Sequence, residues 1–180
     1  MDERYIKKVL EGDPEAFRYF LKNYKDMAFH VAVSIVKDAY YAEEVVQDAF
    51  MKAFKGLKSF NGTAKFKTWF YRIVVNEAFQ RLRKMKREVV SFVPAEEIIV
   101  LECTPLYELP EEEQKHMIGE ALNKLPPKES LVLTLFYLEE YGLADICNIT
   151  GWSLSNTKVI LHRARKDMRS MLGSTLRTSH

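Results

Sequence analysis

The chain has 180 residues, 47% of them hydrophobic and 29% charged, enough to bury one sizeable core or two small ones and too polar for a membrane-embedded protein. Its two cysteines, Cys103 and Cys147, form no CxxC pair, so neither a disulfide framework nor a zinc-ligand spacing is available, which fits a reducing cytoplasm. The net charge of +2 conceals an uneven distribution: ten basic against ten acidic residues in 1–60, eight against two in 61–88, one against eight in 89–120 and eight against five in 121–180. Two basic blocks flanking an acidic one suggest two modules facing nucleic acid, joined by a segment that avoids the polyanion or mimics it; clustering on solvated faces is the plainer explanation.

Helical periodicity dominates. The opening "MDERYIKKVLEGDPEAF" mixes acids and bases ahead of any apolar run and resembles no signal peptide. No apolar stretch approaches the roughly 18 residues of a membrane span, so a cytoplasmic protein without membrane insertion is expected. Asp13 as an N-cap and Pro14 at the first helical position open an amphipathic helix carrying Phe17, Phe20 or Leu21, Tyr24, Met27 or Ala28, Val31 and Ile35. A second follows from about Tyr41 to Leu57 on Val45, Val46, Ala49, Phe50, Ala53 and Phe54. Asn61-Gly62 then favours a turn and Thr63 can cap the next helix, from about Ala64 to Arg87.

That third helix, "FKTWFYRIVVNEAFQRLRKMKRE", is aromatic at one end and cationic at the other. Phe66, Trp69, Phe70 and Tyr71 stand beside Lys65, Lys67 and Arg72. Unstacked nucleic acid needs that mixture, because bases stack on rings while the backbone lies along positive charge. The same rings also fall at the spacing of a helix core. Residues 89–111 contain three prolines, an acidic surplus and no sustained period, and read as a flexible linker.

Beyond the linker, "EEEQKHMIGEALNKL", "PPKESLVLTLFYLEE" and "GLADICNIT" each read as a helix, and Gly151 interrupts before a longer basic one. The last two have the form of a helix-turn-helix. On the final helix Thr157, Leu161, Ala164, Met168 and Leu172 share a core-facing side. The opposite side carries Ser155, Asn156, Val159, His162, Arg163, Lys166 and Ser170, which suits a major groove as well as an ordinary solvated surface. The fold expected is all-α: a domain over 1–88, a linker over 89–111 and a helix-turn-helix domain over 112–180. His30, His116, His162 and His180 form no HExxH, and GxSxG, P-loop and GxGxxG motifs are absent, so no catalytic residue, metal ligand or cofactor is expected.

"DAYYAEEVVQDAFMKAFKGLKSFNGTAKFKTWFYRIVVNEAFQRLRK" resembles the second conserved domain of extracytoplasmic-function sigma factors, and "ALNKLPPKESLVLTLFYLEEYGLADICNITGWSLSNTKVILHRARKDM" resembles their fourth. VVQDAF, FKTWFYRI, LPPKE and HRARK occur in the family's order, over about residues 10 to 172. The resemblance implies a factor that binds core RNA polymerase and promoter DNA, held by an anti-sigma factor. It implies that Val46, Gln47, Asp48, Phe50 and Lys52 dock the polymerase. A flipped base would sit near Phe60, Asn61 and Asn76, with Lys65, Trp69 and Arg72 along the minus-ten strand and Arg81, Arg83 and Lys84 on the duplex edge. Lys158 would join the groove-facing side of the last helix at the minus-35 element. The chain departs from the family where Val159 and Ile160 replace a Ser-Arg pair, which implies a more apolar readout, and where "GLADICNITGW" replaces the usual Glu-Glu-Ile-Ala pattern. A stand-alone helix-turn-helix regulator is the rival reading, although it has no need of FKTWFYRI.

Overall fold

The computed structural model describes residues 1–88 and 110–175. The expected linker lies outside them apart from its last two positions, of which Glu111 already begins a helix. The amino-terminal half contains α1 (Asp2–Leu10), a 3-10 turn (Pro14–Phe17), α2 (Arg18–Val36), α3 (Ala39–Gly56), a second 3-10 turn (Leu57–Ser59) and α4 (Phe66–Glu88). The carboxy-terminal half contains α5 (Glu111–Lys124), α6 (Pro127–Leu133), which runs on as a π-turn (Thr134–Leu138), α7 (Leu143–Thr150) and α8 (Leu154–Thr175).

The helix boundaries follow local chemistry. The Asp13 carboxylate accepts the Ala16 N–H at 3.3 Å, but the segment it caps starts as a 3-10 turn before α2, where the periodicity had suggested one uninterrupted helix. Asp38 caps α3 by accepting the Tyr41 N–H at 3.0 Å. The sharp bend between α7 and α8 is made by Gly151 in the left-handed region, φ +75°, a conformation that a side chain would strain.

α2, α3 and α4 pack around a core of aromatic rings. Phe20 meets Phe66 at 4.2 Å, and Phe50 meets Phe70 at 4.5 Å. Sequence alone did not mark out α1. Asp2 holds it there by accepting the hydroxyls of Tyr19 at 3.0 Å and Tyr24 at 2.7 Å, while Tyr5 stacks on Tyr19 at 4.0 Å. The two halves also pack on one another, α7 against α4 and α6 against α2, so that their buried apolar residues form one continuous cluster.

Candidate nucleic-acid interface

The rings of α4 are divided between core and surface. Phe66, Phe70 and Tyr71 are buried, so none of them can stack on a base; of the four rings at this end of the helix, Trp69 keeps a partly open face. Trp69 leans on Phe60 at 5.0 Å, and a Cβ added at Gly56 would lie 3.4 Å from its ring. Counting by threes and fours from Lys65 gives Trp69, Arg72, Asn76, Gln80, Arg83 and Arg87. All but Trp69 are exposed. One side of α4 therefore presents an aromatic edge, an amide and a file of cations along its whole length, with Lys84 exposed beside it.

Some of the expected contact residues do not join this strip. Arg81 is turned toward α3: its Nη2 lies 2.8 Å from a Glu44 carboxylate oxygen, and its guanidinium sits 4.2 Å over the Tyr41 ring. Asn61 folds onto its own loop, its side-chain oxygen accepting the Thr63 N–H at 3.2 Å and the Thr63 hydroxyl at 2.8 Å. Asn76 is exposed on α4, about 10 Å along the axis from Trp69.

A second surface lies between α2 and α3. An apolar groove of about 450 Å³ has Val46 and Phe50 as its floor and Leu21, Gln47, Met51 and Phe54 at its edges. Val46 and Phe50 are core residues with only 6% and 5% of their surface open, whereas Met51 is 56% exposed. The sequence reading named the floor, assigned Leu21 and Phe54 to the core period and did not name Met51; all three instead stand exposed at the edges. Three apolar residues left in water at helical spacing from the core positions were the signal for them. Asp48 is exposed; Lys52 reaches α4 instead, with its Nζ 2.6 Å from Glu77.

On α8 the division holds except at Ser170, which is half-buried with its hydroxyl enclosed rather than exposed. Thr157, Ile160, Leu161 and Ala164 are buried, while Ser155, Asn156, Lys158, Val159, His162, Arg163 and Lys166 are exposed. Ile160 therefore belongs to the core, and the apolar readout inferred from Val159 and Ile160 reduces to Val159 alone. The Ser153 hydroxyl accepts the Asn156 N–H at 3.2 Å and fixes the first turn that carries these side chains. At the middle of the helix Arg163 stands near Glu129, whose carboxyl is pushed up first by burial and then by the Asp167 carboxylate beside it, with Arg163 opposing.

Between the halves lies a buried polar contact. Glu139, at the end of the π-turn, accepts the Tyr71 hydroxyl at 3.0 Å and lies 3.5 Å from the Lys67 ammonium. Lys67 also sits over the Tyr71 and Tyr141 rings at 5.6 and 5.1 Å. Burial and then the Glu139 charge raise the Tyr71 hydroxyl well above its ordinary range, so it remains a donor. Across the same two halves the Lys37 ammonium donates to the Leu122 carbonyl at 2.6 Å, and burial lowers its pKa to about 8.

Residues 20–88 match the family Sigma-70 region 2, and residues 115–168 match Sigma-70, region 4. Over 184 aligned residues the chain is 31% identical to the ECF RNA polymerase sigma factor SigW of Bacillus subtilis, with 96% of this chain and 97% of the relative covered. The RNA polymerase sigma-H factor of Pseudomonas aeruginosa is 28% identical, covering 98% and 96% of the two chains. Among solved structures, the sigma factor RpoE bound to the anti-sigma factor NepR from Bartonella quintana superposes with a TM-score of 0.68 at 25% identity, over 87% of this chain and 96% of that one. CnrH, in complex with the cytosolic domain of CnrY, shares the fold at TM-score 0.65 and 20% identity, over 96% and 97%. Two helices with exposed cationic sides on two helical modules, in the order of regions 2 and 4, accord with these relationships: the chain belongs to the ECF RNA polymerase sigma factors of the sigma-70 class, the proteins that direct RNA polymerase to promoters.

Proposed function

We propose that the exposed strip of α4 holds the minus-ten region and that the exposed side of α8 reads the minus-35 element, while the α2–α3 groove seats on core polymerase. The observation that carries this is the separation on α4 itself: its rings serve the core, and the opposite side is given over to Lys65, Arg72, Asn76, Arg83 and Lys84. Cations at one end of the strip neutralise phosphates of the duplex, and an amide with an aromatic edge at the other meets unpaired bases. Arg81 is a positioning residue in this scheme, fixing α4 against α3.

The groove supports a protein partner, because its edges leave large apolar side chains in water that a partner would cover. An anti-sigma factor is the second partner proposed, supported by the relative captured with one. The protein acts as a non-catalytic initiation factor, and a cytoplasmic location follows from that role. Among the described residues no helix is long and apolar enough to cross a membrane.

Adding the protein to core polymerase tests the proposal. The complex is expected to start transcripts at a discrete promoter that neither component uses alone. Duplex binding by the protein without any effect on where the polymerase starts would favour a stand-alone helix-turn-helix regulator instead.

A further inference from the structure

Where α2, α5, α6 and the π-turn meet, the two halves leave a cavity of about 240 Å³ between them. Val33 and Ser34 line it from α2, Gly119 and Leu122 from α5, Ser130 from α6 and Leu138 from the π-turn. Two of these residues are not what a contact between the halves would select on its own. Gly119 stands in the middle of α5, where glycine weakens a helix relative to alanine, and a Cβ added there would meet nothing within 4 Å. No close helix contact therefore requires the glycine, and its bare backbone widens the cavity it lines. Ser130 is fully buried, and its hydroxyl has no hydrogen-bond partner. Buried hydroxyls are costly to leave unpaired. A guest in the cavity accounts for both residues, filling the space beside Gly119 and pairing with Ser130.

We propose that the cavity binds one small, neutral, mostly apolar molecule carrying a hydroxyl or carbonyl group, and that this molecule holds the two halves closed. The lining supplies the chemistry. Among the described residues it presents no carboxylate, ammonium or guanidinium group, with His30 as its one titratable member, so a charged ligand would lose its hydration without gaining a counter-charge. Val33, Leu122 and Leu138 offer aliphatic surface to the body of the molecule, and the Ser130 hydroxyl can donate to its oxygen or accept from it. The Ser34 hydroxyl already donates to the Val31 carbonyl at 2.8 Å, which leaves its acceptor side to a guest. Size limits the ligand to roughly ten non-hydrogen atoms, since an apolar cavity of about 150 Å³ already holds benzene. Because the walls come from both halves, the cavity exists only while they are packed together, and a ligand that binds this form alone must favour it. The site is independent of the proposed function; only its consequence, that the ligand opposes engagement of α4 and α8 with separated promoter elements, rests on that proposal.

The test titrates the full-length protein, isotope-labelled at the methyl groups of leucine and valine, with cyclohexanol as the probe. Saturable shifts are expected at Val33, Leu122 and Leu138, together with a rise in fluorescence transfer between labels on the two halves. Ser130→Ala, which removes an unpaired hydroxyl and so spares the fold, should weaken binding about fivefold, the worth of one neutral hydrogen bond. Gly119→Leu should fill the space and abolish the shifts. No saturable shift at these methyls overturns the proposal, as does binding that neither substitution weakens or that leaves the transfer unchanged. Closure by cyclohexanol with no loss of promoter binding by the complex with core polymerase would instead overturn the consequence for promoters and leave the site standing.

Discussion

Two arginines two residues apart on α4 divide between a structural contact and the strip proposed to hold DNA. Arg81 pairs with Glu44 and covers Tyr41, whereas Arg83 is exposed on the cationic strip. Replacing Arg81 by Ala removes a half-buried ion pair and a cation–π contact, and a loss of about 1–2 kcal/mol in unfolding free energy is expected. The salt dependence of DNA binding should hardly change. Arg83→Ala should do the reverse, leaving stability within about 0.5 kcal/mol while the log–log salt slope falls by about one phosphate contact. Urea unfolding and binding titrations at several salt concentrations measure both. Sequence could not distinguish the two arginines, because each is a cation in the same basic run. Burial of the guanidinium against α3 decides between them, and that depends on a tertiary contact.

At the scale of elements, much of the fold was legible because amphipathic spacing and caps are local. Asp13 and Gly151 announce helix ends through the chemistry of their own residues. What stayed hidden was α1: Tyr5, Ile6 and Val9 do fall on one side of it, but the stretch is only nine residues long and crowded with charge, and it is held in place by a carboxylate–tyrosine contact spanning 17 and 22 residues. The groove was half legible for the same kind of reason: Val46 and Phe50 follow the core period, but its width depends on Leu21 from another helix. Met51→Asp should place a charge on the proposed polymerase face without disturbing the core. Polymerase affinity is expected to fall at least tenfold, about 1.4 kcal/mol, with duplex binding by α8 unaffected. Arg163→Ala and Lys166→Ala should each lower the salt slope of minus-35 binding by about one unit, as read from titrations against salt.

The arrangement of the whole molecule sets a geometric problem. Minus-ten and minus-35 elements lie 25 positions apart by name, about 85 Å of duplex, whereas a compact body of this length is roughly 40 Å across. With the minus-ten and minus-35 elements assigned to α4 and α8 as proposed, the two halves part on a promoter, and the contacts of Glu139 and Lys37 are what parting breaks. Closure should respond to pH through Lys37. Its pKa is about 8 when closed and returns toward its ordinary value near 10.5 when open, so between those values the open form binds more protons. Raising the pH from about 8 toward 10 therefore favours closure; above about 10 the buried tyrosines, with hydroxyls raised by burial, oppose further gain. Fluorescence transfer between labels on the two halves should show this rise, and Lys37→Met should flatten it. The most direct test of the central claim, that the exposed strip of α4 holds melted promoter DNA, is permanganate reactivity of thymines in complexes formed with core polymerase and Asn76→Ala. The account predicts a large loss of reactivity on duplex promoter and little loss on a template already unpaired at the minus-ten element, where the cost of unstacking has been met. Equal losses on both templates would contradict it and leave Asn76 a structural residue of α4.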